Sequence, residues 1–126
     1  MYLGRTIRDK SGDNHNMVGL LPLETEMSVK LRTLGYREVT TIKDSILGKA
    51  GTVFRGHEFH YSDLVDSGDC NQIFEWTGRR GDGTCGFTHL NILATYIHSH
   101  WGSNIELPRT FVQSCERFKE SRNASS

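Results

Sequence analysis

Apolar and polar residues alternate along most of this chain, and the period lengthens to that of a helix only near the end. "MYLGRTIRDKSGDN" starts apolar and runs into a polar loop, as the tail of an element does. "MVGLLPL", residues 17–23, is a short apolar run closed by Pro22 and predicts a buried strand. Next come Met27, Val29 and Leu31, then Tyr36 and Val39, with Gly35 between the groups. Two strands and a turn fit this pattern, and a helix over Glu24–Leu34 is the alternative.

"GTVFRGHEFHYSDLV", residues 51–65, is rich in β-branched and aromatic residues and predicts a strand, with Gly56 marking a bulge or a close backbone approach. "NQIFEWTG" predicts a further strand, and the glycines of "RRGDGTCG" predict a turn after it. "HLNILATYIHSHW" is apolar at nearly every position, the pattern of a strand buried on both faces. In "LPRTFVQSCERFKESRN", Phe111, Cys115 and Phe118 recur at helical spacing behind Pro108, which predicts an amphipathic C-terminal helix. The expected fold class is α/β: a strand-rich, largely buried sheet with the C-terminal helix packed on one face.

Composition narrows the setting. At 126 residues the chain is one domain or a piece of one. Fifteen Lys and Arg balance fifteen Asp and Glu, so no net field draws nucleic acid or an anionic membrane, and neither is an expected partner. Three cysteines without a CxxC pair suit a reducing compartment, and the cytoplasm is the expected location. No apolar run approaches the length that spans a bilayer, and the start lacks the apolar core of a signal peptide. Asn123-Ala124-Ser125 matches a glycosylation sequon, which without a secretory signal reads as chance.

The candidate chemistry centres on "TYIHSHW". If residues 90–100 are extended, His98 and His100 project from one face. A histidine at the mouth of a strand suits proton transfer, because its charge changes near neutral pH. The plainer reading, which spacing alone favours, is that both histidines end a strand and bond to a neighbouring loop. A metal site would need His57, His60, His98 or His100 to converge with a carboxylate such as Glu58. Yet His57 and His60 point to opposite faces of an extended segment, and "HEFH" lacks the i, i+4 spacing of a zinc-protease helix. No metal site is therefore expected. Among the cysteines, Cys85 in its expected turn is the one that the local sequence leaves open as a nucleophile. Cys115 falls on the apolar stripe of the helix, and Cys70 carries no signal. No GxxxxGK[ST] loop occurs, so the chain holds no ATP by that route.

The order of the segments carries more than any one of them. "MVGLLPLETEM", "LGYREVT", "GTVFRGHEFHYS" and "NILATYIHSHWGSN" together resemble the C-terminal glutaminase domain of the cobyrinic acid a,c-diamide synthase family, and the resemblance covers most of residues 1–126. In glutamine amidotransferases of this class a cysteine thiolate attacks the side-chain amide of glutamine, and a histidine in a Tyr-x-His strand end acts as base and then acid. The resemblance makes His98 of "TYIHSH" that histidine and places Tyr96 beside it. His100 stands where many amidotransferases carry the glutamate that orients the histidine. His57, Glu58 and His60 of "RGHEFHYS" become supporting or glutamine-pocket candidates.

The same resemblance implies that the nucleophile lies in a Cys-Gly-Gly elbow shortly before a "MYLG"-like segment. This sequence opens on "MYLG", so the nucleophile, the first half of the sheet and the ATP-binding synthetase domain are expected outside it. ATP and Mg2+ are implied for that domain, with no cofactor bound by this segment. L-glutamine and a corrin or related tetrapyrrole are the implied partners of the whole enzyme, along with the synthetase domain or a partner chain. The chain alone is expected to be inactive. A nickel-sirohydrochlorin or hydrogenobyrinate a,c-diamide synthase fits the same residues, as does a split enzyme or a non-catalytic interaction module.

Overall fold

A computed structural model describes residues 1–124; Ser125, which completes the sequon, and Ser126 lie outside the described residues. The fold is α/β and strand-rich, with two sheets and a single long helix at the C-terminus. The smaller sheet has four strands in the order β2-β1-β3-β6: β2 (Asn14–Asn16), β1 (Thr6–Arg8), β3 (Glu24–Met27) and β6 (Ser62–Asp66). The larger has six in the order β10-β5-β4-β7-β8-β9: β10 (Ile97–Ser99), β5 (Val53–His60), β4 (Thr33–Thr41), β7 (Asn71–Gly78), β8 (Gly81–His89) and β9 (Ile92–Ala94). A 3-10 turn (Trp101–Ser103) leads to helix α1 (Glu106–Ala124).

The apolar run 89–101 is not one buried strand. It breaks at Thr95 and Tyr96 into β9 and β10, which lie on opposite edges of the larger sheet. The step from Ala94 to Ile97 spans at most roughly 11 Å of extended chain. The sheet must therefore curl until its two edges nearly meet. Its concave face closes over a core of Val39, Leu47, Phe54, Ile73, Phe74, Ile97 and Leu107. Phe54 and Phe74 meet edge to face, with ring centroids 5.4 Å apart. The curl replaces burial between two layers, so β4 and β5 keep one face inside and one outside, alternating along each strand.

The stretch 51–65 also divides. β5 ends at His60, Tyr61 turns the corner, and β6 continues in the other sheet. Opposite this corner β3 passes to β4 through residues 28–32. The predicted turn therefore lies there, not at Gly35, which sits inside β4. Backbone bonds from Ser28 N to Tyr61 O (2.6 Å) and Arg32 N to His60 O (3.0 Å) hold the two bends together. Gly56 is a close approach, not a bulge. A Cβ there would collide with the Ile97 side chain and lie 2.8 Å from the His98 carbonyl oxygen, so β10 packs where only hydrogen fits.

Other expectations change for local reasons. Residues 17–23 form no strand, because Pro22 has no N–H to give and Gly19 takes a φ of +73°. Leu21 and Leu23 are nonetheless buried, and Gly19 and Leu21 donate backbone N–H groups to Gly4 and Leu3. The polar stretch after "MYLG" forms the β1–β2 hairpin, and β1 also pairs parallel to β3. The turn expected over 79–86 shrinks to Arg79 and Arg80, and the rest is β8. Helix α1 forms as predicted but docks through its first turns. Leu107 is buried and Phe111 half-buried, whereas Cys115 and Phe118 are exposed because later turns run past the core.

Candidate functional site

The sequence-predicted residues divide between the two faces of β5. On the outer face, His57 stands directly opposite His98 of β10 and Tyr36 of β4. The His57 and His98 rings meet edge to face, with centroids 5.7 Å apart and planes at 82°. Tyr36 lies 6.0 Å from His57 on the other side, and Phe59 stacks on it at 6.4 Å. His98 is exposed, and this row of rings faces outward from the sheet.

His100 does not join the row. Its backbone stays extended one residue past the end of β10, at the entry to the 3-10 turn. The His100 N–H donates to Arg55 O at 2.8 Å, its carbonyl accepts from Ser103, and its ring lies over Gly102 of the 3-10 turn. Among the described residues no hydrogen bond links His98 with His100.

On the inner face Glu58 and His60 are part of a buried polar network. Arg37 Nε donates to Glu58 Oε2 at 3.0 Å, and the guanidinium carbon sits 4.2 Å over the Trp76 ring. The other carboxylate oxygen meets His60 Nε2 at 3.0 Å. His60 Nδ1 donates to the Ser62 carbonyl at 2.7 Å, across the corner between the sheets. Both ring nitrogens thus face oxygen acceptors. The Tyr96 ring stacks on His60 at 4.1 Å, and its hydroxyl is 2.7 Å from Ser62 Oγ. Burial, opposed by the Ser62 hydrogen bond, pushes the Tyr96 phenol above its ordinary range, so it stays protonated.

His57 and His60 therefore lie on opposite faces, as their spacing predicts, and with Glu58 they do not converge into one pocket. Arg37, Ser62 and Trp76 were not anticipated as network members. Arg37 had one signal in the sequence: a charge at an inward position of an alternating strand needs a partner.

Cys85 is not a loop thiol. It lies in β8 opposite the fully buried Phe74 and packs against the core. Burial first, and then the Glu58 charge, pushes its pKa up to about 12, so it is neutral and unreactive at physiological pH. A surface cleft lies elsewhere, between α1 and residues 44–49, with Leu90, Phe111 and Phe118 on its walls. It gathers an exposed Asp44–Lys49 ion pair and none of the histidines. Among the described residues no helix is long and apolar enough to cross a membrane.

Residues 1–105 match the CobB/CobQ-like glutamine amidotransferase domain. The chain belongs to that family. It is 43% identical over 121 residues to a cobyrinate a,c-diamide synthase of Leptospira interrogans, covering 93% of this chain and 27% of that protein. A protein of the same name from Caldanaerobacter subterraneus is 36% identical over 119 residues (94% and 26% covered). The Salmonella typhimurium protein of that name is 31% identical over 127 residues (93% and 26% covered). The chain thus spans about a quarter of the length of these curated relatives.

Proposed function

We propose that this chain is the C-terminal glutaminase portion of a cobyrinate a,c-diamide synthase, an ATP-dependent ligase that takes its amide nitrogen from glutamine. The observation that carries the reading is His98. It is an exposed histidine at the end of a strand, on an open face, in a chain of the CobB/CobQ-like amidotransferase family. The shared name of the relatives favours cobyrinate over other tetrapyrroles.

In this reading His98 takes the proton of a cysteine thiol supplied from outside the segment. The thiolate then attacks the side-chain amide carbon of glutamine. As the C–N bond breaks, the imidazolium returns the proton to the leaving amine, and ammonia departs. Water then hydrolyses the thioester to glutamate. Cys85 cannot substitute as nucleophile, because its thiol is inward and held neutral. ATP and Mg2+ act in the synthetase part of the whole protein, where they activate the acetate side chains of the corrin. This chain's own task is glutamine chemistry, and alone it hydrolyses no glutamine, since a base without its nucleophile retains little of the unit's catalysis.

Joining this chain to the N-terminal three quarters of the Leptospira protein tests the assignment. The hybrid should amidate cobyrinate with either glutamine or ammonia. His98→Ala should abolish the glutamine-driven reaction and spare the ammonia-driven one. Glutamine-driven turnover that survives His98→Ala would refute the reading, as would cysteine-dependent ammonia release by the chain alone.

A further inference from the structure

A general acid/base needs its ring held in one orientation, and His100, two residues on, supplies no such hold among the described residues: its ring packs against Gly102 and makes no hydrogen bond to His98. We propose that His57 is the positioning residue of His98, an inference that rests on the catalytic assignment above. Three observations support it. His57 is in direct register with His98 across the β5–β10 pair. Its ring meets that of His98 at 5.7 Å and 82°, the edge-to-face geometry in which the electropositive rim of one ring rests on the electron-rich face of the other. It is also the more fixed of the two. Tyr36 and Phe59 confine it on β4 and β5, and it is half-buried whereas His98 is exposed.

Gly56 completes the arrangement. The absence of a side chain there lets β10 approach β5 closely enough for the two rings to meet. The contact acts through a ring face, so an aromatic substitute should preserve it. An edge-to-face neighbour also adapts as His98 gains and loses its proton, because a positive rim over an aromatic face is a favourable contact.

The test uses the full 126-residue chain with 15N-labelled histidine, reading the ring nitrogen and carbon-bound proton signals of His98. In His57→Ala the His98 signals should move toward those of a free, tautomer-averaged imidazole. In His57→Phe they should stay near wild type, a rescue that a general loss of structure would not give. His100→Ala should leave them unchanged. Backbone amide signals of Ile73 and Phe74 report whether each variant keeps its fold, and His57→Gln replaces His57→Ala if the latter does not. His98 signals that are the same in His57→Ala (or, in its place, His57→Gln) and wild type would overturn the proposal, as would signals moved as far by His100→Ala. The hybrid enzyme separates this from failure of the catalytic assignment. If His98→Ala leaves glutamine-driven turnover intact, His98 has no catalytic orientation to be given, and the proposal falls even where the ring contact is real. If His98→Ala abolishes turnover, His57→Ala should lower it roughly tenfold to a hundredfold, the range expected for misplacing a catalytic group, and His57→Phe should restore most of it.

Discussion

The two faces of β5 carry residues from one segment, "RGHEFHYS", and treat them in opposite ways. Inside, Glu58 and His60 have every polar contact filled by Arg37, Ser62 and the stacked Tyr96. Outside, His57 and Phe59 meet other rings, and the row ends on an exposed His98. A buried ionic network with all partners present has little freedom to do chemistry, but it fixes the strands that bear it. An exposed ring with a free nitrogen can meet a substrate. The difference suits the inner face to holding the strands, and it leaves the outer one open for the glutamine chemistry proposed above.

The contrast is broken most directly at Glu58. Glu58→Ala would leave the Arg37 guanidinium and the His60 ring buried without their carboxylate, at a cost of about 3–5 kcal/mol in urea unfolding. A cost below about 1 kcal/mol would mean that water already enters the network.

Cys85 sharpens the same side. Its pKa, raised from 9.0 to about 12, means the folded state favours the protonated thiol. That contribution to stability is complete below pH 9.0 and fades as the pH rises toward about 12. At pH 8 the native chain holds roughly a thousandfold less Cys85 thiolate than the urea-unfolded one, and iodoacetamide modification followed by mass spectrometry should show a comparable slowing. Exposed Cys115 should react readily in both states.

At Gly56, alanine forces the Ile97 side chain and the His98 backbone outward, for about 1–3 kcal/mol of destabilisation and altered amide shifts along β10. Tyr96→Phe removes only the hydroxyl bonded to Ser62 and should cost about 1 kcal/mol, with ring stacking retained. The smallest effect belongs to the outer face. Phe59→Ser removes a ring that is 46% exposed and should stay within about 0.5 kcal/mol of wild type. A loss as large as that at Glu58 would erase the distinction between the faces.

Much of this was legible in the chain. Alternation marked β4, β-branched and aromatic residues marked β5, "NQIFEWTG" read as β7, Pro108 and the apolar spacing marked α1, Gly56 announced a bulge or a close approach, and the opposed faces of His57 and His60 followed from strand geometry alone. The "TYIHSH" segment also marked a strand-end histidine, and His98 stands exposed in β10. What misled was reading apolar character as burial between layers. "MVGLLPL" buries Leu21 and Leu23 without forming a strand, since side-chain burial and backbone pairing are separate demands and Pro22 and Gly19 prevent the second.

By itself, then, the sequence determined the period of β4, the terminal helix and the family, because these depend on local geometry and residue chemistry. Only the tertiary structure decided that residues 92–99 divide between two sheet edges, that His57 and not His100 meets His98, that Cys85 is sealed inside, and that Arg37 completes the Glu58–His60 pair. Each of those is a contact between residues far apart in the chain or a break in an element. Such features are set by which strands pair and how far the sheet curls, and no local period encodes either.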